Sequence, residues 1–261
     1  MNHWQNYHKR WSALGPPQRP NPEAVATLHR LVGRPRGPVL VLGVTPEVAG
    51  AFDVVTAVDK NRGMIDGVWP GDTETKRAIE ADWLTVDLPA GGFTAVVGDG
   101  SLNSVPTLDD ARVVLARAFM FLRPGGRFAC RVYARPDDPF TEELLIDTLL
   151  RPATIGFHAF KWMLAMNVAE SEGASVPVAR LLERFEELSP DRELTSRRTG
   201  WPRTAIDTVD AYRDSPVRYC FPSRTEFLAM IPRGAAGVAF EPSGTYDLAA
   251  CCPTLTFSKP V

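Results

Sequence analysis

Four short polar stretches follow apolar runs in this sequence, at intervals that suit the ends of successive strands. They are Gly43-Val44-Thr45, Asp59, Ala81-Asp82-Trp83 and Gly98-Asp99-Gly100-Ser101. In a doubly wound parallel sheet, ligands bind in the crevice at the carboxyl ends of the strands. We therefore expect these four stretches to meet at one edge of a sheet and to line a ligand site there.

The acids among these residues are suited to binding a nucleoside. Asp59 lies 16 residues beyond Gly43, where a carboxylate can accept hydrogen bonds from both ribose hydroxyls. Asp82 can accept from the exocyclic amine of adenine, and Trp83 can cover a face of the base. Together they predict an adenosine-containing cofactor. The alternative is that each acid is a solvated or helix-capping residue.

The turn after the first apolar run distinguishes between adenosine cofactors. A dinucleotide needs its pyrophosphate against a glycine-rich turn that opens a helix. The turn here is Gly43-Val44-Thr45-Pro46-Glu47, which lacks G-x-G-x-x-G and places an acid where the phosphates would lie. A phosphate-free cofactor with a cationic amino-acid tail fits this turn better, and S-adenosylmethionine is such a molecule.

Alternating apolar runs and helical segments supply the elements that would position these residues. Predicted strands of the core lie at residues 39–42, 53–58, 93–97, 127–133, 237–240 and 253–258. Continuous apolar runs of this kind are typical of strands covered on both faces. The predicted fold class is α/β, a doubly wound Rossmann-like sheet that is mostly parallel. Only residues 44–52 join the first two strands, so the first helix must be a turn or two.

Two segments lie outside the alternating pattern. Residues 137–222 show helical patterns, an arginine-rich link after residue 188 and no clear strand, and we predict a helical insertion that covers an acceptor pocket. Residues 34–136 and 223–261 then form the core. Trp4, Tyr7 and Trp11 share one helical face and predict an N-terminal lid over residues 1–33. The alternative is a helix that packs its aromatic residues on the surface.

These motifs resemble those of a class I S-adenosylmethionine-dependent methyltransferase. The resemblance rests on VLVLGVTPE, VTAVD, ADW, VVGDGSLN and LRPGGRF, in that order. The first loop departs from the family's acid-x-Gly-x-Gly-x-Gly, because Val41 replaces the acid and Thr45 and Glu47 stand at the later glycines. Thr45 or Glu47 is then the candidate for holding the amino group of the cofactor.

The resemblance and the lid prediction together imply a set of cofactor contacts. The expected cofactor-binding residues are Tyr7, Trp11, Gly43, Val44, Thr45, Asp59, Lys60, Met64, Ala81, Asp82, Trp83, Gly98, Asp99, Gly100 and Ser101. The implied activity is transfer of a methyl group to a small-molecule acceptor, since small-substrate members of the family usually enclose the acceptor with helices. Which atom of the acceptor is methylated cannot be read from these motifs.

Methyl transfer is an in-line displacement, so positioning and exclusion of water supply much of the rate. Asp99 and Asn103 are the polar groups best placed to orient or deprotonate an acceptor, with helix capping as the alternative. His158 lies in an aromatic helical stretch, where a satisfied histidine is the simpler interpretation. Arg197, Arg198 and Arg203 read as a solvated basic loop, and no cluster of residues has metal-ligand spacing.

Composition limits the class of partner. The chain of 261 residues is 44% hydrophobic and carries a net charge of −2, which argues against a nucleic acid partner. We find no run of 18 apolar residues and no signal-peptide pattern at residues 1–11, so we expect no membrane partner and a cytoplasmic location. The four cysteines do not form a disulfide framework. The excess of arginine over lysine suggests a GC-rich bacterial genome.

Two other functions remain open from the sequence. A non-catalytic S-adenosylmethionine-binding or regulatory protein would explain the altered first motif. A nicotinamide-dependent oxidoreductase is disfavoured by the missing glycine fingerprint and by Glu47. The oligomeric state is not predicted.

Overall fold

A seven-stranded sheet forms the centre of the protein in a computed structural model that describes Trp4 and residues 8–261. Its strands are β1 (Val39–Leu42), β2 (Val55–Asp59), β3 (Lys76–Glu80), β4 (Phe93–Asp99), β5 (Leu122–Arg131), β8 (Ala236–Glu241) and β9 (Thr254–Ser258). Their spatial order is β3-β2-β1-β4-β5-β9-β8, and β9 runs in the direction opposite to the other six strands. The predicted fold class, a mostly parallel Rossmann-like sheet, is confirmed.

The register of the parallel strands brings their carboxyl ends together. Leu42 at the end of β1 pairs with Val58 of β2 on one side and with Gly98 of β4 on the other. Asp59 ends β2 opposite Glu80, and Asp99 ends β4 opposite Arg131. The polar stretches therefore follow β1, β2, β3 and β4 at one edge of the sheet.

Helices cover both faces of the sheet, and each face has its own hydrophobic core. The helices are α1 (Pro22–Val32), α2 (Pro46–Gly50), α3 (Arg62–Val68), α4 (Leu108–Phe121), α5 (Glu142–Leu150), α6 (Phe157–Glu172), α7 (Val178–Leu188), α8 (Arg192–Thr199), α9 (Arg203–Ile206) and α10 (Arg224–Ala229). Helix α4 shows how its sequence specifies a helix. Thr107 caps its start by accepting a hydrogen bond from Asp110 N, and Val114, Leu115 and Ala118 are buried. Helix α2 has five residues, as the short link between β1 and β2 predicted.

Residues 137–222 contain elements that the sequence did not reveal. Two short antiparallel strands, β6 (Ser175–Pro177) and β7 (Arg218–Cys220), pair within a segment that we expected to be mostly helical and in which we found no clear strand. Helix α8 lies in the predicted link, where Asp191 caps its start and Gly200 ends it in the left-handed conformation. Helix α8 buries only two threonines, so it lacks the apolar face from which helices are predicted.

Helix α6 is the most deeply buried element of this segment. Twelve of its 16 residues are buried, including the titratable residues His158 and Lys161. A helix that is covered all round packs in a core rather than on a surface. Helix α9 is followed directly by a 3₁₀ helix, Asp207–Tyr212. Within the described part of the chain, we find no helix with the length and apolar character needed to cross a membrane.

Candidate functional site

A cavity lies at the carboxyl edge of the sheet, where the predicted site residues meet. Its empty space, including the open mouth, is about 1030 Å³. The predicted residues that line it are Trp11, Gly43, Val44, Thr45, Asp59, Lys60, Met64, Asp82, Trp83, Asp99, Gly100, Ser101 and Asn103. Ala81 and Gly98 do not line it, and Tyr7 lies outside the described residues. The strand ends thus form one site.

Gly43 forms the turn between β1 and the cavity. Its φ of +109° is a conformation that side chains other than that of glycine rarely adopt. Its amide donates to the carbonyl oxygen of Val58 at 2.8 Å, which ties the turn to β2. The Trp83 ring lies about 4.0 Å from the position that a Cβ on Gly43 would take. The turn therefore keeps backbone exposed to the cavity without the further glycines of the usual motif.

Asp59 presents one unoccupied carboxylate oxygen to the cavity. Its Oδ1 accepts from the backbone and side-chain nitrogens of Asn61 at 2.8 and 3.1 Å. Among the described residues, none donates to Oδ2. The residue is only 8% exposed, and burial raises the pKa of its carboxyl above 3.8 although the Asn61 hydrogen bonds lower it. A carboxylate oxygen at the cavity without a donor from the protein can accept a hydrogen bond from a ligand hydroxyl.

Asp82 and Trp83 form the neighbouring wall. The indole nitrogen of Trp83 donates to the carbonyl oxygen of Val58 at 2.6 Å, which fixes the ring beside the turn at Gly43. Asp82 accepts from Leu84 N at 2.9 Å and pairs with Lys60 at 3.3 Å. This wall offers a fixed aromatic ring and a half-buried carboxylate.

Asp99 is bound to a buried arginine. Both of its oxygens accept from the Arg131 guanidinium, with Nη2 to Oδ2 at 2.9 Å, and both side chains are almost fully buried. Burial alone would lower the pKa of Arg131, but the charge of Asp99 raises it well above the usual range. The predicted role of Asp99 as a base does not fit this contact, because a carboxylate held at both oxygens by an arginine is a poor proton acceptor.

Asn103 also has its hydrogen-bonding groups engaged. Its Nδ2 donates to the carbonyl oxygens of Tyr133 and Cys220 at 2.8 and 2.7 Å, and its Oδ1 accepts from Tyr133 N at 2.9 Å. These bonds connect the end of β4 to the continuation of β5 and to β7. The predicted catalytic role of Asn103 therefore does not fit, because the amide has no hydrogen left to donate to an acceptor.

Two glycines and a serine close the base of the site. Ser101 Oγ donates to the carbonyl oxygen of Leu42 at 2.6 Å, which joins β1 to the loop after β4. A Cβ on Gly98 would lie 2.6 Å from Ser101 Oγ and 3.0 Å from Cys130 Sγ. Gly98 thus permits close packing beneath the cavity, and Gly100, in the left-handed conformation, turns the chain towards it.

The N-terminal segment lines the cavity with Trp11 and Gln18. Arg19 pairs with Glu47 at 2.6 Å and lies over the Trp11 ring at 5.5 Å. The carbonyl oxygen of Pro17 accepts from Arg131 Nη2 at 2.7 Å and from the Tyr133 hydroxyl at 3.0 Å. These contacts hold the segment against the strand ends. That it acts as a lid stays a prediction.

The opposite side of the cavity is an aromatic wall, which we define as Trp4, Tyr133, Trp162, Tyr219 and Phe221. Trp162 is its centre, with ring centroids 5.2, 5.6 and 5.5 Å from those of Tyr133, Tyr219 and Phe221. Trp4 meets Tyr219 at 6.0 Å. From the sequence, Trp4 was expected in the lid, and the other four residues were not identified as part of a site. The aromatic run at residues 157–162 was the signal available for Trp162.

Other candidates lie elsewhere. His158 is buried, and its Nε2 lies 3.0 Å from the carbonyl oxygen of Ala13 rather than in the cavity. Burial lowers its pKa to about 3, so it is neutral at physiological pH. Arg203 pairs with Asp207 and Glu193 at the surface. The described residues contain no group of three or more His, Cys, Asp or Glu residues that could hold a metal.

Comparison with known proteins identifies the fold. No protein-family model and no curated protein matches the sequence. Among solved structures, a chain of the Haloferax volcanii complex between a methyltransferase activator and a methyltransferase aligns with a TM-score of 0.56 and 10% identity, over 100% of this chain and 99% of that one. A SAM-dependent methyltransferase from Methanosarcina mazei gives 0.51 and 13%, over 93% and 99%.

A third neighbour carries a different functional name. It is described as a Zn-dependent alcohol dehydrogenase from Rhodobacter sphaeroides, with a TM-score of 0.54, 14% identity and coverage of 100% and 99%. At such identities the likeness shows the fold alone. The chain therefore has the Rossmann-like fold that S-adenosylmethionine-dependent methyltransferases share, and its function has to be argued from the site.

Proposed function

We propose that this protein is an S-adenosylmethionine-dependent methyltransferase that acts on a small-molecule acceptor. The observation that carries the proposal is Asp59, a largely buried residue that lines the cavity and whose Oδ2 accepts no hydrogen bond from a described residue. A ribose hydroxyl would supply that hydrogen bond, since each oxygen of a carboxylate can accept one. The fold shared with known methyltransferases supports the same reading.

The residues of the cavity fit this cofactor. Asp59 would hold the ribose, while Asp82 and Trp83 would bind the adenine edge and face. Gly43 and Thr45 would lie beside the methionine portion, where Glu47 is already paired with Arg19. When bound, S-adenosylmethionine supplies an electrophilic methyl group on a sulfonium.

The protein's own contribution is positioning and exclusion of water. Asp99 and Asn103 have their polar groups bound within the protein, so neither is free to remove a proton from an acceptor. The N-terminal segment and the aromatic wall enclose the space between them, which favours an in-line approach over reaction with water. We infer that the acceptor is reactive in the protonation state in which it binds.

The deciding experiment is a titration with S-adenosylhomocysteine, the demethylated product of the cofactor. At about 100 times its dissociation constant it should stabilise the fold by roughly 2.7 kcal/mol. Asp59→Ala should abolish this gain. Asp53→Ala is the matched control, because Asp53 is exposed just before β2 and does not line the cavity.

Each alternative has its own outcome in this experiment. Stabilisation by NAD in place of S-adenosylhomocysteine would overturn the proposal in favour of an oxidoreductase. Binding of S-adenosylmethionine without methyl transfer to any acceptor would indicate a regulatory protein of the same fold. No gain with either ligand would remove the reason to assign a nucleoside site.

A further inference from the structure

Lys161 is a fully buried lysine that the proposed reaction does not use. It is 1% exposed, in the middle of α6, and its Nζ has no hydrogen-bond partner among the described residues. Nζ lies 5.9, 5.6 and 5.3 Å from the ring centroids of Phe157, Trp162 and Tyr212. Rings stabilise a cation, but three rings do not replace the hydration of an ammonium group.

The surroundings of Lys161 provide no negative charge to pair with its ammonium group. No described carboxylate lies within ion-pair distance of Nζ, and Arg10, a further cation, lies close enough to act on it. Burial, and secondarily Arg10, lower the pKa of Lys161 to about 7. His158, on the same helix, is itself held neutral by burial. A buried amine that destabilises the fold and makes no polar contact is a candidate for function.

Lys161 adjoins the aromatic wall but does not itself line the cavity. Trp162, the centre of that wall, lines the cavity, and its ring centroid lies 5.6 Å from Nζ. Tyr212 accepts a hydrogen bond from the cavity residue Gln18 at 3.4 Å and meets the Tyr219 ring at 6.1 Å. We infer that Nζ reaches the cavity when Trp162 or Tyr212 is displaced.

The wall is weakly held at this point. Trp162 Nε1 and Gln18 Oε1 are buried and have no hydrogen-bond partners in the described part of the chain. By contrast, Trp83 on the cofactor side is fixed by its indole hydrogen bond. A ring held only by packing moves at lower cost than one held by a buried polar bond. Trp162 Nε1–H and Lys161 Nζ are also both hydrogen-bond donors, so an oxygen-bearing ligand suits this corner.

We propose that the methyl acceptor is an aromatic carboxylate, whose ring packs on the aromatic wall and whose acid group binds Lys161. The assignment rests on the proposed function, since it names the acceptor of that site. The aromatic wall supplies apolar contact area, and the charged residues that line the cavity are Asp59, Lys60 and Asp82 on the cofactor side and Asp99, which Arg131 already neutralises. Lys60, the one cation among the described residues that line the cavity, is paired with Asp82, so the counter-charge for an acidic acceptor would be Lys161.

The test is calorimetric titration of the full chain saturated with S-adenosylhomocysteine. The probes are benzoate, cinnamate and indole-3-carboxylate, each compared with its neutral amide, and cyclohexanecarboxylate as the acid without an aromatic ring. At least one aromatic acid should bind more tightly than its amide and than the cyclohexane acid. At pH 8 its binding should take up a proton, because Lys161 becomes charged, and titrations in two buffers of different ionisation enthalpy measure this uptake.

Variants assign the effect to Lys161. Lys161→Met should weaken the aromatic acid by at least about tenfold and abolish the proton uptake. Lys9→Met is the matched control, since Lys9 is exposed and does not line the cavity. If Lys161→Met fails to fold, Lys161→Gln provides the same loss of charge with a polar group retained.

The outcomes separate this inference from the proposed function. If S-adenosylhomocysteine binds and none of the three aromatic acids does, the acceptor assignment is wrong and the methyltransferase proposal stands. Equal affinity for acid and amide, or an unchanged acid affinity in Lys161→Met, would also overturn the assignment. If S-adenosylhomocysteine itself does not bind, the proposed function fails first.

Discussion

The two sides of the cavity are built by different means. On the cofactor side, polar bonds fix the side chains: Trp83 to Val58, Ser101 to Leu42, and Asp99 to Arg131. On the side that we propose for the acceptor, the aromatic wall is held by ring contacts around Trp162, whose buried Nε1 lacks a partner among the described residues. The comparison teaches that the cofactor side is preorganised, while the acceptor side retains freedom to adjust to its ligand.

The largest expected effect tests the acceptor side. Lys161→Met should stabilise the protein at pH 7 by up to roughly 4–5 kcal/mol, because the folded pKa of about 7 lies well below the ordinary lysine value of 10.5. Between these values the unfolded chain binds the extra proton, so the stability of the unmodified protein rises with pH. The advantage of the variant should therefore shrink towards pH 10.

Urea unfolding of both proteins at pH 7 and pH 10 measures this difference. The titratable groups that face Lys161 are Arg10, His158 and Tyr212. Loss of Lys161 removes its lowering effect on the pKa of His158, but burial, the larger cause, still lowers that pKa, so we expect His158 to stay neutral between pH 7 and pH 10 in both proteins. A variant that is less stable than the parent at pH 7 would show that Lys161 has a partner in the folded state.

The second effect tests the cofactor side. Arg131→Met should destabilise the fold by about 3–5 kcal/mol, because it leaves the buried Asp99 carboxylate without its counter-charge. Arg112→Met is the matched control: Arg112 pairs with Asp109 at the surface, and its loss should cost less than about 1 kcal/mol. Equal losses in denaturant unfolding would mean that the Arg131 pair is no stronger than a surface pair.

A third effect concerns the junction between the two sides. Asn103→Ala should cost about 2–3 kcal/mol, since it removes three buried hydrogen bonds and leaves the carbonyls of Tyr133 and Cys220 unsatisfied. Asn167→Ala, which removes one partly buried bond to Phe140, should cost about 1 kcal/mol. Thermal unfolding of the two variants compares them directly. Retained stability in Asn103→Ala would indicate that water replaces the amide.

The smallest effect compares one substitution on each side. Trp83→Phe removes an indole that donates to Val58, and we expect a loss of about 1 kcal/mol. Trp162→Phe removes an indole without a partner, and it should cost less than Trp83→Phe does. Chemical denaturation with both variants measures the difference. If Trp162→Phe is the more damaging change, the two sides do not differ as described.

From the sequence, several residues of the proposed cofactor side could be placed at the cavity, whereas most of those of the proposed acceptor side could not. Asp59 and Asp99 could be placed because each follows an apolar run, and Asp82 because it follows the likely third strand, since the ends of parallel strands must lie together. The use of Asp99 could not be foreseen, because its partner Arg131 comes from another strand and looks like an ordinary strand residue. Pairing across a sheet depends on register, which the local pattern does not contain.

The residues of the proposed acceptor side could not be placed from the sequence for a physical reason. Helix α6 is buried on all faces, so its sequence carries no amphipathic period that would show which way Lys161 or Trp162 points. Tyr219 and Phe221 lie in and beyond a strand of three residues, too short for an alternating pattern. Only tertiary packing brings these residues together.

Arg131 joins parts of the chain that are far apart in sequence. Besides Asp99, its guanidinium donates to the carbonyl oxygen of Pro17 and to the hydroxyl of Tyr246, the latter at 2.9 Å. The segment ahead of the first helix and the loop that precedes the final strand thus both accept hydrogen bonds from the Arg131 guanidinium. A ligand that displaces the N-terminal segment from Arg131 would break the bond to Pro17. Through the same guanidinium it would also act on the loop that carries Tyr246.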